Sequence, residues 1–177
     1  SCPYGAIDYT QGLAAEVITA KCHGCGACVG ECPHDAITQL HYTDAQILAQ
    51  IRTLLADQPE KKILALRCHW CSYGGADLAG TSHFEYTSNE RGIKVMCSAR
   101  MDADFIYEAY RLGAGAVLYS GCHPQDCHYI TGQVIGAKRA KRAGSPGNRL
   151  GAPVQRGVAR ALHHFGVQHA AVVVDGD

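Results

Sequence analysis

From Lys61 onward the chain alternates short apolar runs with longer amphipathic ones. Ile63-Leu64-Ala65-Leu66, Ile93-Lys94-Val95-Met96, Ala116-Val117-Leu118-Tyr119 and Ala170-Ala171-Val172-Val173-Val174 have the length and β-branched content of strands. Between them the pattern predicts helices near 75–80, at 103–112, at 128–142 and at 154–165. The second of these is the clearest. Phe105, Ile106, Ala109 and Leu112 fall on one face and Gly113 supplies a stop. Upstream, Thr43 and Gln46 have capping-box spacing, and Ile47, Leu48, Ile51, Leu54 and Leu55 then recur at helical intervals until Pro59. Alternating β and α segments imply an α/β fold, a parallel sheet with covering helices built from βαβ units. The stretch 143–153, AGSPGNRLGAP, holds too much Gly, Pro and Asn for either period and reads as a loop.

Residues 1–40 show little apolar periodicity and are rich in cysteine and turn residues, so they cannot bury a core of their own and need metal to hold them. The expected organisation is therefore a metal-held segment at 1–40, a connecting amphipathic helix at 41–60 and an α/β domain at 61–177. Lys plus Arg number 16 and Asp plus Glu 16 in the 177 residues. No global field draws such a chain to nucleic acid or to a membrane surface, and no apolar run approaches the roughly 20 residues of a membrane span. Ten cysteines in C-x-x-C-type spacings suit metal clusters in a reducing cytoplasm better than a secreted disulfide framework.

The run CHGCGACVGECP places Cys22, Cys25, Cys28 and Cys32-Pro33 in a C-x₂-C-x₂-C-x₃-C-P pattern. Three thiolates on a glycine-loosened loop can wrap three corners of an iron–sulfur cube, and the fourth cysteine of such a run ligates the other cluster of a two-cluster ferredoxin. Cys2-Pro3-Tyr4-Gly5-Ala6-Ile7 is the counterpart of Cys32-Pro33-His34-Asp35-Ala36-Ile37. By the crossed rule Cys2 completes a [4Fe–4S] site with Cys22, Cys25 and Cys28, while Cys32 serves a second [4Fe–4S] cluster whose other ligands lie upstream of Ser1. The chain then reads as the C-terminal piece of something longer. Residues 1–40 resemble half of a bacterial-type two-cluster ferredoxin. The alternative is a zinc knuckle, which needs only four ligands in two pairs and leaves the third cysteine and the Cys-Pro repeat idle.

A second constellation follows the strands. Cys68 and Cys71 come after the first predicted strand, Cys97 ends the second, and Cys122 and Cys127 follow the third. In a parallel sheet the carboxyl ends of the strands share one edge, where ligands bind. Five thiols are expected to converge there, and four are enough for a [2Fe–2S] cluster or for zinc.

The motifs CHWCSYGGADLAGTS, KVMCSARMD and SGCHPQDCHY, together with the span 62–142 that carries them, resemble the methyl-viologen-reducing hydrogenase delta subunit family. That resemblance implies a [2Fe–2S] domain passing electrons from a partner hydrogenase or formate dehydrogenase to heterodisulfide reductase, with Cys68, Cys71, Cys97, Cys122 and Cys127 at the family's cysteine positions. Its placement behind a ferredoxin segment resembles the C-terminal end of the A-type subunit of heterodisulfide reductase in fused form, whose FAD-bearing body would lie upstream. The expected role is an electron-transfer module without a substrate site. A zinc-stabilised interaction module without a redox role is the alternative.

Other residues have plainer expected roles. His23, His69, His123 and His128 adjoin cysteines and are expected to tune the sulfur sites through hydrogen bonds. Trp70 and Tyr73 are expected to pack around the thiols, and Gly24, Gly74 and Gly75 to let backbone N–H groups approach sulfur. Lys138, Arg139, Lys141 and Arg142 read as a solvated helix end, with docking to an acidic redox partner as the alternative.

Overall fold

A computed structural model describes residues 2–123 and 125–143, and the backbone of 171–175. Residues 2–40 form a two-stranded antiparallel ribbon, β1 (Ile7–Asp8) with β2 (Glu16–Val17), and otherwise turns and single 3₁₀ turns. Among described residues 2–40 the buried apolar side chains are Ala6, Ala27 and Val29, so the segment has no apolar core of its own.

The larger part is an α/β unit. Helix α1 (Asp44–Leu54) begins with a complete capping box: Gln46 N–H donates to Thr43 Oγ1 at 3.2 Å, and Thr43 N–H donates to Gln46 Oε1 at 3.0 Å. It is followed by β3 (Ile63–Cys68), α2 (Gly74–Thr81), β4 (Glu90–Val95), α3 (Ala103–Arg111), β5 (Ala116–Ser120), α4 (Gly132–Ala143) and β6 (Ala171–Asp175). The sheet order is β4-β3-β5-β6, with β3 parallel to both β4 and β5. Strand β6 departs from the expectation of an all-parallel sheet. It pairs antiparallel to β5, Ala171 opposite Ser120 and Asp175 opposite Ala116, as an edge strand on a parallel sheet often does. The predicted helix at 154–165 and the loop after Ala143 lie outside the described residues.

Alternation along the strands decides which residues meet. Leu64, Leu66, Ile93, Val95, Val117 and Tyr119 face a core closed by Ile47, Ile51 and Leu55 from the α1 region, Phe105, Ile106 and Ala109 from α3, and Ala140 and Ala143 from α4. The opposite face of β3 and β5 carries Ala65, Ala116 and Leu118. Helix α1 therefore contributes its apolar face to the main core.

An ion-pair relay ties α1 to α3. Glu108 accepts from Arg52 Nε at 2.7 Å and from Arg111 at 2.7 and 2.8 Å. Hydrogen bonds from Arg111 and then Arg52 hold its carboxyl down at about 2. A depressed carboxylate stabilises the fold above its ordinary value of 4.5 and loses that contribution as pH falls from there through 2. Replacing Glu108 with Gln is expected to cost at most about 1 kcal/mol at neutral pH, because the arginines are largely solvated. In denaturant unfolding, the gap between the native chain and the variant should close on acidification below pH 4.5. A gap that widens instead contradicts the assignment.

Candidate metal centres

Two sets of thiols converge, and they converge on each other. In the first set, the turn at Cys2 and the turn at Cys32 are alike in their bonding. Ala6 N–H donates to Cys2 Sγ at 3.4 Å and Ala36 N–H to Cys32 Sγ at 3.3 Å, each four residues on. The third residue past each cysteine has positive φ, 58° at Gly5 and 50° at Asp35. The Cys-Pro repeat seen in the sequence is thus one turn built twice.

Cys25 is raised first by burial, opposed by the Ala27 N–H, and then by the negative charge of Cys28, Cys2 and Cys22. Cys28 is likewise raised by burial, with Cys22 and Cys2 adding to it. Cys2, Cys22, Cys25 and Cys28 thus share one electrostatic neighbourhood. Gln39 Nε2 donates to Gly24 O at 2.5 Å and fastens the ligand loop from behind.

The second set sits at the carboxyl edge of the parallel strands. Cys68 ends β3, Cys97 follows β4 by two residues, and Cys122 follows β5 by two. All three are buried, and the Sγ atoms of Cys68 and Cys122 lie 3.8 Å apart. Two thiolates on one tetrahedral metal with bonds of about 2.3 Å stand about 3.8 Å apart, so this pair already has the bite of a metal ligand pair. Cys97 accepts from Ala99 N–H at 3.4 Å and Cys127 from Gln133 N–H at 3.4 Å. A Cβ on Gly132 would collide with Cys97 Sγ and come within 3.6 Å of Cys127 Sγ, so the first residue of α4 must be glycine for these two thiols to gather beside it. Burial pushes Cys97 up to about 12, with the charges of Cys68, Cys127 and Cys25 adding to it. The shared hydrogen bond with Cys122, then burial, raises Cys68. Thiols so placed resist ionisation unless a cation replaces their protons. Cys71 lies on a single π-helical turn, His69–Tyr73, between β3 and α2.

The influence of Cys25 on Cys97 marks the junction of the two sets. Ala27, Cys97, Ala99 and Tyr129 form one buried cluster, against which Tyr4, Cys25, Cys127 and Ile135 pack. Tyr4 is raised by burial and by the charges of Cys25, Cys127, Cys97 and Cys2, which places it between the sets. Its ring stacks on His23 at 3.9 Å, and Trp70 stacks on His128 at 3.6 Å. These two histidines are therefore engaged by aromatic rings. Trp70 and Tyr73 remain 44% and 40% exposed, at the rim of the thiols rather than enclosed around them.

Among the described residues a Cβ on Gly74 would meet nothing closer than His69 O at 4.0 Å, and one on Gly75 or Gly24 nothing within 4 Å, whereas one on Gly132 would collide with Cys97 Sγ. One sequence expectation needs correction here. Arg139 is not part of a solvated helix end; it is 8% exposed and turned inward. Arg100, which the sequence does not single out, is fully buried, where it donates to Tyr42 O at 2.8 Å and to Asp44 at 2.7 Å. A signal for Arg139 does exist: Gly132, Gly136, Ala140 and Ala143 recur at helical spacing, and Arg139 falls on that small-residue face.

Residues 63–171 match the model of the methyl-viologen-reducing hydrogenase delta subunit. The chain belongs to that family. Residues 1–43 match the LdpA Fe-S cluster-binding domain, so iron–sulfur chemistry has support in the N-terminal segment too. The A-type subunit of the ferredoxin:CoB-CoM heterodisulfide reductase of Methanosarcina mazei is 41% identical, over 72% of this chain and 20% of its own length. The D-type iron-sulfur subunit (vhc) of the F420-non-reducing hydrogenase of Methanococcus voltae is 47% identical, over 44% of this chain and 54% of its own length. Its vhu counterpart from Methanopyrus kandleri is 32% identical, over 55% of this chain and 74% of its own length. The chain thus spans about a fifth of the reductase polypeptide and about half of the Methanococcus voltae hydrogenase polypeptide. No helix among the described residues is long and apolar enough to cross a membrane.

Proposed function

We propose that this family member is an electron-transfer module of a heterodisulfide reductase/hydrogenase-type complex in the cytoplasm. On this reading Cys2, Cys22, Cys25 and Cys28 hold a [4Fe–4S] cluster, Cys32 contributes to a second [4Fe–4S] cluster with residues upstream, and the strand-edge thiols hold a [2Fe–2S] cluster. Of those five, Cys68, Cys97, Cys122 and Cys127 are the ligands and Cys71 is spare. The pairing of Cys68 with Cys122 and the gathering of Cys97 and Cys127 beside Gly132 favour that set. Thiolate-bound clusters supply one-electron oxidation and reduction with little change in geometry.

The observation that carries the reading is the junction itself: Cys25 of one thiol set packs in the same cluster as Cys97 and Cys127 of the other. On this reading the two sites lie side by side, and Ala27, Ala99 and Tyr129, each at most 3% exposed, keep water from the interval. A zinc module gains nothing from that proximity. The donor on this reading is a partner hydrogenase or formate dehydrogenase, and the acceptor a flavin, FAD, in an upstream or partner portion of a complex with heterodisulfide reductase subunits.

Metal analysis after anaerobic reconstitution tests the proposal. It should return about six irons per chain with acid-labile sulfide, and Cys71→Ala should leave that content unchanged. Zinc without visible absorption would overturn the redox reading, and loss of iron in Cys71→Ala would overturn the ligand set.

A further inference from the structure

Arg139 reaches from α4 to both thiol-bearing loops. Its Nη2 donates to Ala27 O at 3.0 Å and to Glu31 Oε2 at 2.5 Å, and its Nη1 donates to Ala99 O. Ala27 lies between Cys25 and Cys28, and Ala99 is the residue whose N–H donates to Cys97 Sγ. One guanidinium therefore grips, by their backbone carbonyls, the loop of the first thiol set and the loop of the second. The chain makes room for it. A Cβ on Gly30 would come 2.5 Å from Arg139 Nη1. Burying a cation here is tolerated because three acceptors meet its planar fork, two of them carbonyls on loops far apart in sequence. Lysine, with a compact ammonium on a flexible stem, cannot span that arrangement equally well.

We propose that Arg139 is a positioning residue that sets the separation and orientation of the two thiol sites, and with them the rate at which an electron crosses. This rests on the reading that both sites hold iron–sulfur clusters. The step is the loss of one electron by one cluster and the gain of one by the other, with no bond made or broken and no proton moved. The reductant is the partner dehydrogenase, or dithionite in the test. Electron tunnelling falls exponentially with distance, so a loosened clamp acts on rate without removing any ligand.

The test uses the full reconstituted chain with Arg139→Gln, Arg139→Lys and Gly30→Ala. After dithionite reduction, electron paramagnetic resonance should show both cluster signals in each variant at native iron content. The spin–spin interaction between them should weaken in Arg139→Gln, and the intercluster rate after rapid mixing should fall at least roughly tenfold, with Arg139→Lys restoring part of both. An unchanged interaction and rate in iron-replete Arg139→Gln overturns the clamp. Should that variant fail to take up iron, Gly30→Ala decides, since it displaces the guanidinium while keeping it: weakened interaction supports the clamp and a native spectrum overturns it. A native chain without either cluster signal would instead sink the functional reading.

Discussion

Replacing Cys122 with Ala is expected to remove the [2Fe–2S] signal and to stop reduction by the natural donor, while a one-electron dye that reduces the N-terminal cluster directly still works. The effect should be near complete because Cys122 is 2% exposed and its Sγ stands 3.8 Å from that of Cys68, the spacing of two ligands on one metal. Alanine leaves one sulfur of the pair with no partner, in a pocket too dry for water to serve as ligand. Cys127→Ala should behave alike, through loss of the thiol that gathers with Cys97 beside Gly132. The measurement pairs resonance spectra with donor-driven reduction. Variants that lose the cluster yet keep full transfer from the donor would show that the α/β unit only docks.

Cys25→Ala should have the next largest effect, and a different one. It should abolish one [4Fe–4S] signal and unfold residues 1–40 locally, while the α/β unit stays folded. The asymmetry follows from burial: the segment buries only Ala6, Ala27 and Val29 as apolar side chains, whereas the α/β core draws on three helices and three strands. Amide hydrogen exchange should show protection lost before residue 40 and retained in β3 and β5. Cys32→Ala should leave the same signal standing, because on the crossed reading Cys32 serves the other cluster. Loss of one and the same cluster in both variants would mean that the segment is an uncrossed single-cluster domain.

What could be read from the sequence alone was set by short-range spacing. The Thr43–Gln46 capping box, the apolar face of α3 and the repeat of the Cys-Pro turn all depend on contacts within a few residues, and the three parallel strands show as short apolar runs. The thiols at the strand ends were legible because a parallel sheet brings its carboxyl ends to one edge whatever the intervening lengths. The direction of β6 was not, since an apolar run has the same pattern in either orientation and its neighbour decides.

The charge run 138–142 misled for a related reason. A basic stretch looks solvated until something buried opposite it accepts a hydrogen bond, and two of the three acceptors of Arg139 are carbonyls at Ala27 and Ala99, invisible to any side-chain pattern, while the third, Glu31, lies 108 positions away. The adjacency of Cys25 to Cys97 is likewise a product of tertiary structure. It arises where the N-terminal ligand loop, the turn after β4 and the start of α4 pack together, and spacing within any one of them says nothing about the others. Sequence determined which thiols the chain offers; only the packing of those three loops brought Cys25 against the buried cluster that holds Cys97.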